Sequence, residues 1–462
     1  MRAIVRDSWQ PRTAADDFFC KAFPGYRLES FQANSGKESL ILNLAPIDIP
    51  DCPCCGNPCP KIHSTHHRTV RCAPLMGASI VKLRLPLRRV RCLQCGSTRM
   101  ELVQWLCPKH KITNRLISQV QLRARSGMTN AAIAKELKLS WDTVKRFDKL
   151  QLDHAFRELD LHGVKHLIMD EFAVHKGHKY ATVIMDADTH RVLWVGKGKR
   201  RADVKPFFED ITKRGLQYQI KSVAMDMNAG FPGLVRDYLP CAKVLYDGFH
   251  VLQMYTRDVL VAAKRTCQAE AIARLDAATK DDGNATVAHR KAMRALSSSQ
   301  WVLVRRNDDL NRREQRKLDQ LLQDNALLAA LYPVADLIRA LWKVKDTQAA
   351  RKQLLELVAL CKEIGSRFNF EPIKRFARTL KRRQEGIVEV GRFGYSSCPL
   401  EGANNKIKVL KRTAYGYRDF EYFKLKILAA LPGKGASPFK GLTPGQVVTK
   451  AGVLTCCIHA LS

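Results

Sequence analysis

The 462-residue chain has no apolar run of the roughly eighteen residues that a membrane-spanning helix needs. Met1–Gln10 lacks the apolar centre of a secretory leader, so a cytoplasmic, nucleoid-associated location is expected. A G-x-x-x-x-G-K-S/T phosphate loop is missing too, which disfavours an ATP-driven helicase or recombinase. Internal repeats and low-complexity tracts are likewise absent. Above all the chain is short of acid: 44 Asp and Glu stand against 78 Lys and Arg, a formal net charge of +34. Solubility alone does not require that excess. Such a field attracts a polyanion, with nucleic acid ahead of an anionic membrane surface. The 46% apolar share is enough for a sizeable core, so general disorder is excluded. Fifteen cysteines in an intracellular chain read as thiols or metal ligands before disulfides.

Pattern divides the chain into a segment 1–50 with few signals, a zinc-binding domain 51–110 and a helix-turn-helix domain 111–155. A catalytic α/β core follows, with its first part at 160–250, an all-α insertion at 251–395 and C-terminal helices at 396–430. The tail 431–462 is rich in Gly, Pro and Ser and is expected to be loosely held.

Cys52-Pro-Cys-Cys55-Gly and Cys92-Leu-Gln-Cys95-Gly are two C-x-x-C knuckles. Two intervening residues let both sulfurs reach one tetrahedral ion, and the following glycine relieves the turn. Two knuckles close a four-sulfur site with no open position, which makes the expected zinc structural. Cys54, Cys59, His63, His66, His67 and Cys72 are rival ligands. Between the knuckles Val81, Leu83, Leu85 and Leu87 alternate with Lys82, Arg84 and Arg88, predicting a half-buried strand with a cationic outer face. With Arg89 and Arg91, that face is suited to phosphates.

Thr129 can cap a helix carrying Ala132, Ile133 and Leu137. Ser140 can cap a second, Trp141 to Lys149, with Val144 and Phe147 inward. This is helix-turn-helix spacing, and the second helix would offer Asp142, Thr143, Lys145 and Arg146 to a major groove.

From Val164 the pattern gives three strands, Val164–Asp170, Tyr180–Met185 and Val192–Val195, then a helix Ala202–Arg214. A strand Ser222–Met227, a short helix near Leu234 and a strand Lys243–Tyr246 complete the order expected of an RNase H-like core. Asp170 and Asp226 each end a predicted strand, which brings two carboxylates to one sheet edge, where a divalent cation relieves their repulsion. Glu401 follows in Glu401-Gly-Ala-Asn-Asn405-Lys-Ile-Lys408. On a helix, Glu401, Asn405, Lys408 and Arg412 share one face, offering a ligand, an amide and two cations to metal and phosphate. Glu171, Asp186 and Asp247 are rivals, and Glu171 should face away from Asp170. Asp247 and His250 are candidates to support the site from behind. The leucine stripe Leu318, Leu321, Leu322, Leu328, Leu331 within the insertion reads as core packing.

These stretches resemble the ISL3 family of insertion-sequence transposases, which are Asp-Asp-Glu recombinases. The likeness rests on the paired knuckles, Met169-Asp-Glu-Phe-Ala, Gly177-His-Lys-Tyr-Ala-Thr-Val, Met225-Asp-Met, Asp247-Gly-Phe-His-Val, and Glu401-Gly-Ala-Asn-Asn-Lys-Ile-Lys followed by Arg412-Thr-Ala-Tyr-Gly-Tyr. It implies Asp170, Asp226 and Glu401 as a catalytic triad using magnesium or manganese, and zinc at Cys52, Cys55, Cys92 and Cys95. It further implies a helical insertion before the third acid, binding to terminal inverted repeats and target DNA, and a homo-oligomer on DNA. Cys54 inside the first knuckle and the tail with Cys456 and Cys457 depart from the family pattern. Two other readings compete: a zinc and helix-turn-helix regulator needs no convergence of the three acids, and an RNase H-like nuclease without strand transfer needs no separate DNA-binding front end.

Overall fold

The computed structural model describes residues 13–278 and 300–437 except 35, 37, 108, 109, 159, 176, 178, 228, 229, 396 and 397, together with 439, 442, 444, 447–449 and 452–454. Cys456 and Cys457 therefore lie outside the described residues. The chain forms two compact units, one from residues 1–158, 411–429 and 437–462, the other from 159–410 and 430–436.

The first unit opens with α1 (Ala14–Ala22), whose cap Thr13 accepts the Asp16 N–H. Strands β1 (Tyr26–Asn34), β2 (Ser39–Pro46), β3 (Ile62–Cys72), β4 (Ile80–Arg91) and β5 (Thr98–Met100) form one sheet in the order β1-β2-β4-β3, with β5 also on β4. The alternation read from the sequence is realised on β4: Val81, Leu83 and Leu85 are wholly buried, and Lys82 and Arg84 are exposed. Segment 1–50 carries more structure than its pattern suggested. On β1 only Tyr26 is buried, so this edge strand has no alternation to read. On β2, Leu40, Leu42 and Leu44 supply part of the core under β4.

Next come α2 (Asn114–Arg125), α3 (Asn130–Glu136) and α4 (Trp141–Ala155), capped by Thr113, Thr129 and Ser140. Lys138 turns the chain between α3 and α4 at φ 49°. Ile117, Val120, Ile133, Leu137, Val144 and Phe147 form the common core. α4 continues past the expected end at Lys149 because Leu152 keeps the apolar spacing, and it packs against Tyr422 and Leu425 of a C-terminal helix, Phe420–Ala430.

The second unit holds β6 (His166–His175), β7 (Lys179–Asp186), β8 (Val192–Lys197), α5 (Arg201–Lys213), β9 (Ser222–Met225), α6 (Pro232–Tyr238) and β10 (Lys243–Tyr246). The element order matches the one read from the sequence. The sheet runs β10-β9-β6-β7-β8: β6, β7 and β8 are antiparallel neighbours, and β9 and β10 run parallel to β6. One expectation is corrected. Asp170 does not end its strand, because β6 stays paired with β7 as far as His175. Its parallel pairing with β9 stops at Ile168, so Asp170 sits just beyond the point where that neighbour leaves off.

After α7 (Gly248–Tyr255) the described chain is helical up to Phe393 apart from short connections. Leu318, Leu321, Leu328 and Leu331 are buried in its core, as their spacing implied. The Glu401 helix, Cys398–Thr413, follows, with its residues up to Leu410 in this unit. Among the described residues no single helix is long and apolar enough to cross a membrane.

Candidate functional site

Each knuckle of the first unit is built from its own backbone. Gly56 and Gly96 adopt positive φ, 73° and 69°, and donate to the carbonyls of Cys52 and Cys92. A side chain at either position would be strained in that conformation. The two loops bring the Sγ atoms of Cys52, Cys55, Cys92 and Cys95 within 4.8 Å of one another, with Cys52–Cys95 at 3.6 Å and Cys55–Cys92 at 3.5 Å. Four sulfurs about 2.3 Å from one tetrahedral ion would stand about 3.8 Å apart, so the donor set fits zinc. The Ser97 hydroxyl beside Cys52 and Cys95 lowers both thiols, Cys52 to about 5, while burial and shared hydrogen bonds among the sulfurs raise Cys55 and Cys92, so two of the four are predisposed to the metal-binding thiolate. Of the rivals, Cys59 is buried beneath the knuckles with Val90, Cys72 belongs to the sheet core, and Cys54, His63, His66 and His67 are exposed.

The surface residues singled out for DNA have different fates. Lys82, Arg84 and Arg146 are exposed. Arg88 is committed internally: its guanidinium pairs with Glu101 at 2.6 Å and donates to the Asp48 carbonyl. Thr143 joins the cap of α4 through Ser140. Lys145 is held by Asp419 at 3.1 Å, and Lys149 by the same carboxylate at 3.0 Å.

In the second unit, Asp170 is half-buried on β6. Its Oδ1 accepts the Glu171 N–H at 2.8 Å and its Oδ2 accepts the Asn404 amide at 2.7 Å. Burial raises the Asp170 pKa, and the nearby Asp226 charge raises it further, against the opposing effects of its hydrogen bonds and of His250. Asp226 follows β9, and its Oδ2 lies 3.8 Å from His250 Nδ1. Asp247 is buried and caps α7, the helix carrying His250, by accepting the Phe249 N–H. Glu171 is raised by burial and then by Asp170, with Lys199 acting against them. It therefore belongs to the same electrostatic neighbourhood even though adjacent strand residues alternate. Asp186 is spent on a turn, accepting from Thr189 Oγ1 and the Asp188 N–H.

The Glu401 helix reaches this edge through a residue that pattern reading passed over. Leu400, Ala403 and Ile407 are its buried face, and that spacing also turns Asn404 inward, 8% exposed, onto Asp170. Glu401, Asn405, Lys408 and Arg412 form the exposed face, as expected, and Lys408 donates to Asn405 at 3.4 Å. The signal was available in the Asn404-Asn405 pair: the apolar steps at 400, 403 and 407 select the first asparagine for the interior. Among the described residues only the four cysteines gather tightly enough to form a ready metal cluster. Asp170, Asp226 and Glu401 do not form such a tight group.

Comparison with known proteins places this combination in a class. Residues 167–427 match the model of the ISL3 transposases of the DDE type. The transposase of insertion sequence element IS1001 from Bordetella parapertussis is 37% identical over 382 residues, covering 83% of this chain and 89% of that one. The chain belongs to the ISL3 transposase family. The transposase of insertion sequence element IS1557 from Mycobacterium tuberculosis is 24% identical over 63% of this chain and 65% of its own. Among solved structures, the Drosophila P element transposase strand transfer complex covers 70% of this chain and 92% of its own, at a TM-score of 0.32 and 8% identity, too slight a likeness to bear on the fold.

Proposed function

We propose that the chain binds the terminal inverted repeats of an insertion sequence, cuts the DNA there and joins the freed 3′-hydroxyl to a target, acting as a homo-oligomer. In this reading the five-stranded sheet of the second unit is an RNase H-like core and Asp170, Asp226 and Glu401 are its catalytic acids. The α2–α4 module is a helix-turn-helix. One observation carries the assignment: the Asn404–Asp170 hydrogen bond ties the helix of Glu401 to the strand of the first aspartate, while Asp226 follows the neighbouring parallel strand.

Asp170, Asp226 and Glu401 would supply hard oxygen ligands for magnesium or manganese. When bound, such an ion polarises a phosphoryl oxygen and acidifies an attacking water or hydroxyl. Asn404 and the Glu171 N–H orient Asp170. His250, on a helix fixed by Asp247, lies against Asp226 and restrains it. Asn405, Lys408 and Arg412 face outward for phosphate contact. At the front end Lys82, Arg84 and Arg146 are the DNA-facing candidates; Arg88 leaves that set because Glu101 occupies it, Lys145 because Asp419 does, and Thr143 because it serves the cap of α4. Zinc at the four cysteines holds the knuckles as structure.

Glu401→Gln tests the assignment on a duplex carrying the element's own ends. Cleavage and joining should be lost while end binding persists. Unchanged cleavage would remove Glu401 from the triad, and an unaltered protein that ignores the ends would remove the transposase reading itself.

A further inference from the structure

The second unit carries a basic helix, Glu371–Arg382, that neither the triad nor the DNA-binding front end accounts for. Its sequence Glu-Pro-Ile-Lys-Arg-Phe-Ala-Arg-Thr-Leu-Lys-Arg holds five cations and a single acid, the acid in the first turn. Ile373, Phe376, Ala377 and Leu380 are buried, so the opposite stripe, Arg375, Arg378, Lys381 and Arg382, faces solvent. Steps of three and four residues align Arg375, Arg378 and Arg382, with Lys381 beside them. Arg378 is paired with Glu371 at the helix start, and Asp258 and Glu371 both lie within electrostatic range of Arg375. Among the described residues no acid pairs with Lys381 or Arg382. A helix built only to be solvated mixes its signs, as Arg312–Asp324 does on its own surface; this one concentrates cation toward its C-terminal end.

That end is anchored beside the acids. Arg383, the next residue, donates through Nη2 to the Met227 carbonyl, one position after Asp226, and through Nη1 to the Tyr246 hydroxyl at the end of β10. Its guanidinium also lies over the Tyr246 ring at 5.1 Å. The following turn approaches β10 so closely that a Cβ on Gly386 would stand 2.5 Å from the Tyr246 ring and 2.8 Å from the Val244 carbonyl. Two separate contacts thus fix Arg383 and Gly386, which follow Lys381 and Arg382 in the chain, at the ends of β9 and β10.

We infer that the exposed stripe of this helix is a docking surface for the phosphate backbone of the DNA duplex being processed, guiding it toward the Asp170–Asp226 edge. This rests on the transposase reading and adds a second DNA contact surface to it. Charge complementarity is the warrant: an exposed cationic stripe, two of whose members, Lys381 and Arg382, have no acidic partner among the described residues, on a rigid element beside a site whose proposed substrate is a polyanion.

The test uses the full-length chain and a labelled duplex, with binding followed by fluorescence anisotropy at several salt concentrations. Lys381→Ala/Arg382→Ala should weaken binding and reduce the slope of log K against log salt by about 1.8, since each lost phosphate contact removes about 0.9. Both side chains are exposed, so the far-ultraviolet circular dichroism and melting temperature should not change. Lys381→Glu/Arg382→Glu should weaken binding further. An unchanged affinity and slope in both variants, with the unaltered chain binding normally, would overturn the inference and leave the transposase reading standing. Failure of the unaltered chain to bind any duplex would instead remove the transposase reading.

Discussion

Both carboxylate oxygens of Asp170 already hold a donor, Glu171 N–H on one and the Asn404 amide on the other, which leaves lone pairs free on each. Burial and the Asp226 charge raise its pKa all the same. A raised carboxyl keeps its proton over a wider range of pH, and that proton competes with a cation. Affinity for manganese should therefore rise with pH through the raised value. Asn404→Leu keeps most of the volume and deletes a hydrogen bond that favours the ionised form. Losing it should raise the Asp170 pKa further, so the midpoint of cation binding should move to higher pH. Calorimetric titration with Mn2+ in the absence of DNA reads this directly. A midpoint that stays put would reduce Asn404 to helix packing. The candidate acids could be picked out because a carboxylate closing an apolar run is easily recognised, although Asp170 lies within its strand and not at the end. The sequence hid Asn404 because two adjacent asparagines differ only in which face of their helix is apolar.

At the level of elements, α4 and the helix Phe420–Ala430 are held together by two kinds of contact. Asp148, 1% exposed, accepts from Tyr422 and pairs with Lys426 at 3.0 Å. Asp419 bridges Lys145 and Lys149 near the surface. Asp148→Ala deprives the half-buried Lys426 ammonium of its carboxylate and leaves the Tyr422 hydroxyl with Asn130 alone, and should cost about 3 kcal/mol in urea unfolding. Asp419→Asn disturbs only partly solvated pairs and should cost about 1 kcal/mol or less. Burial opposes the Asp419 charge, but the Tyr422 N–H, Lys149 and Lys145 overcome it and lower the pKa to about 2. Because the folded value lies below the ordinary 3.8, the Asp419 contribution is complete above the ordinary range. It is lost as the pH falls through about 2. Unfolding midpoints of the unaltered protein and Asp419→Asn should accordingly differ at neutral pH and converge toward that acidic limit; a difference that persists there would refute the clamp. The helices themselves were legible from their caps, Thr129 and Ser140, and from apolar spacing. Their partner helix was not, since the residues that meet, Asp148 and Tyr422, are 274 positions apart and no local pattern relates them.

For the molecule as a whole, the same contrast separates what local spacing encodes from what distant pairing decides. The order of strands and helices from β6 to β10 followed from alternation and length, yet β2 beside β4 in parallel had no local signature. The cysteine knuckles, linked by that sheet, lie in one compact unit, and β6 and β7 lie in the other. Loops such as Cys52–Gly56 and Cys92–Gly96 rest on a few backbone hydrogen bonds around a small buried cluster, too little apolar burial to order them by itself. Removing zinc should therefore act locally. With a chelator, or in Cys92→Ser, amide exchange should speed up at Gly56, Gly96 and the β4–β5 pairing, binding to the element's ends should weaken, and the amides of β6 and β7 should stay protected. One zinc per chain is expected by elemental analysis of the unaltered protein. Exchange in the knuckles that is indifferent to chelation would mean that hydrogen bonds alone hold them, because a metal that contributes folding energy cannot be withdrawn without loosening the loops that bind it.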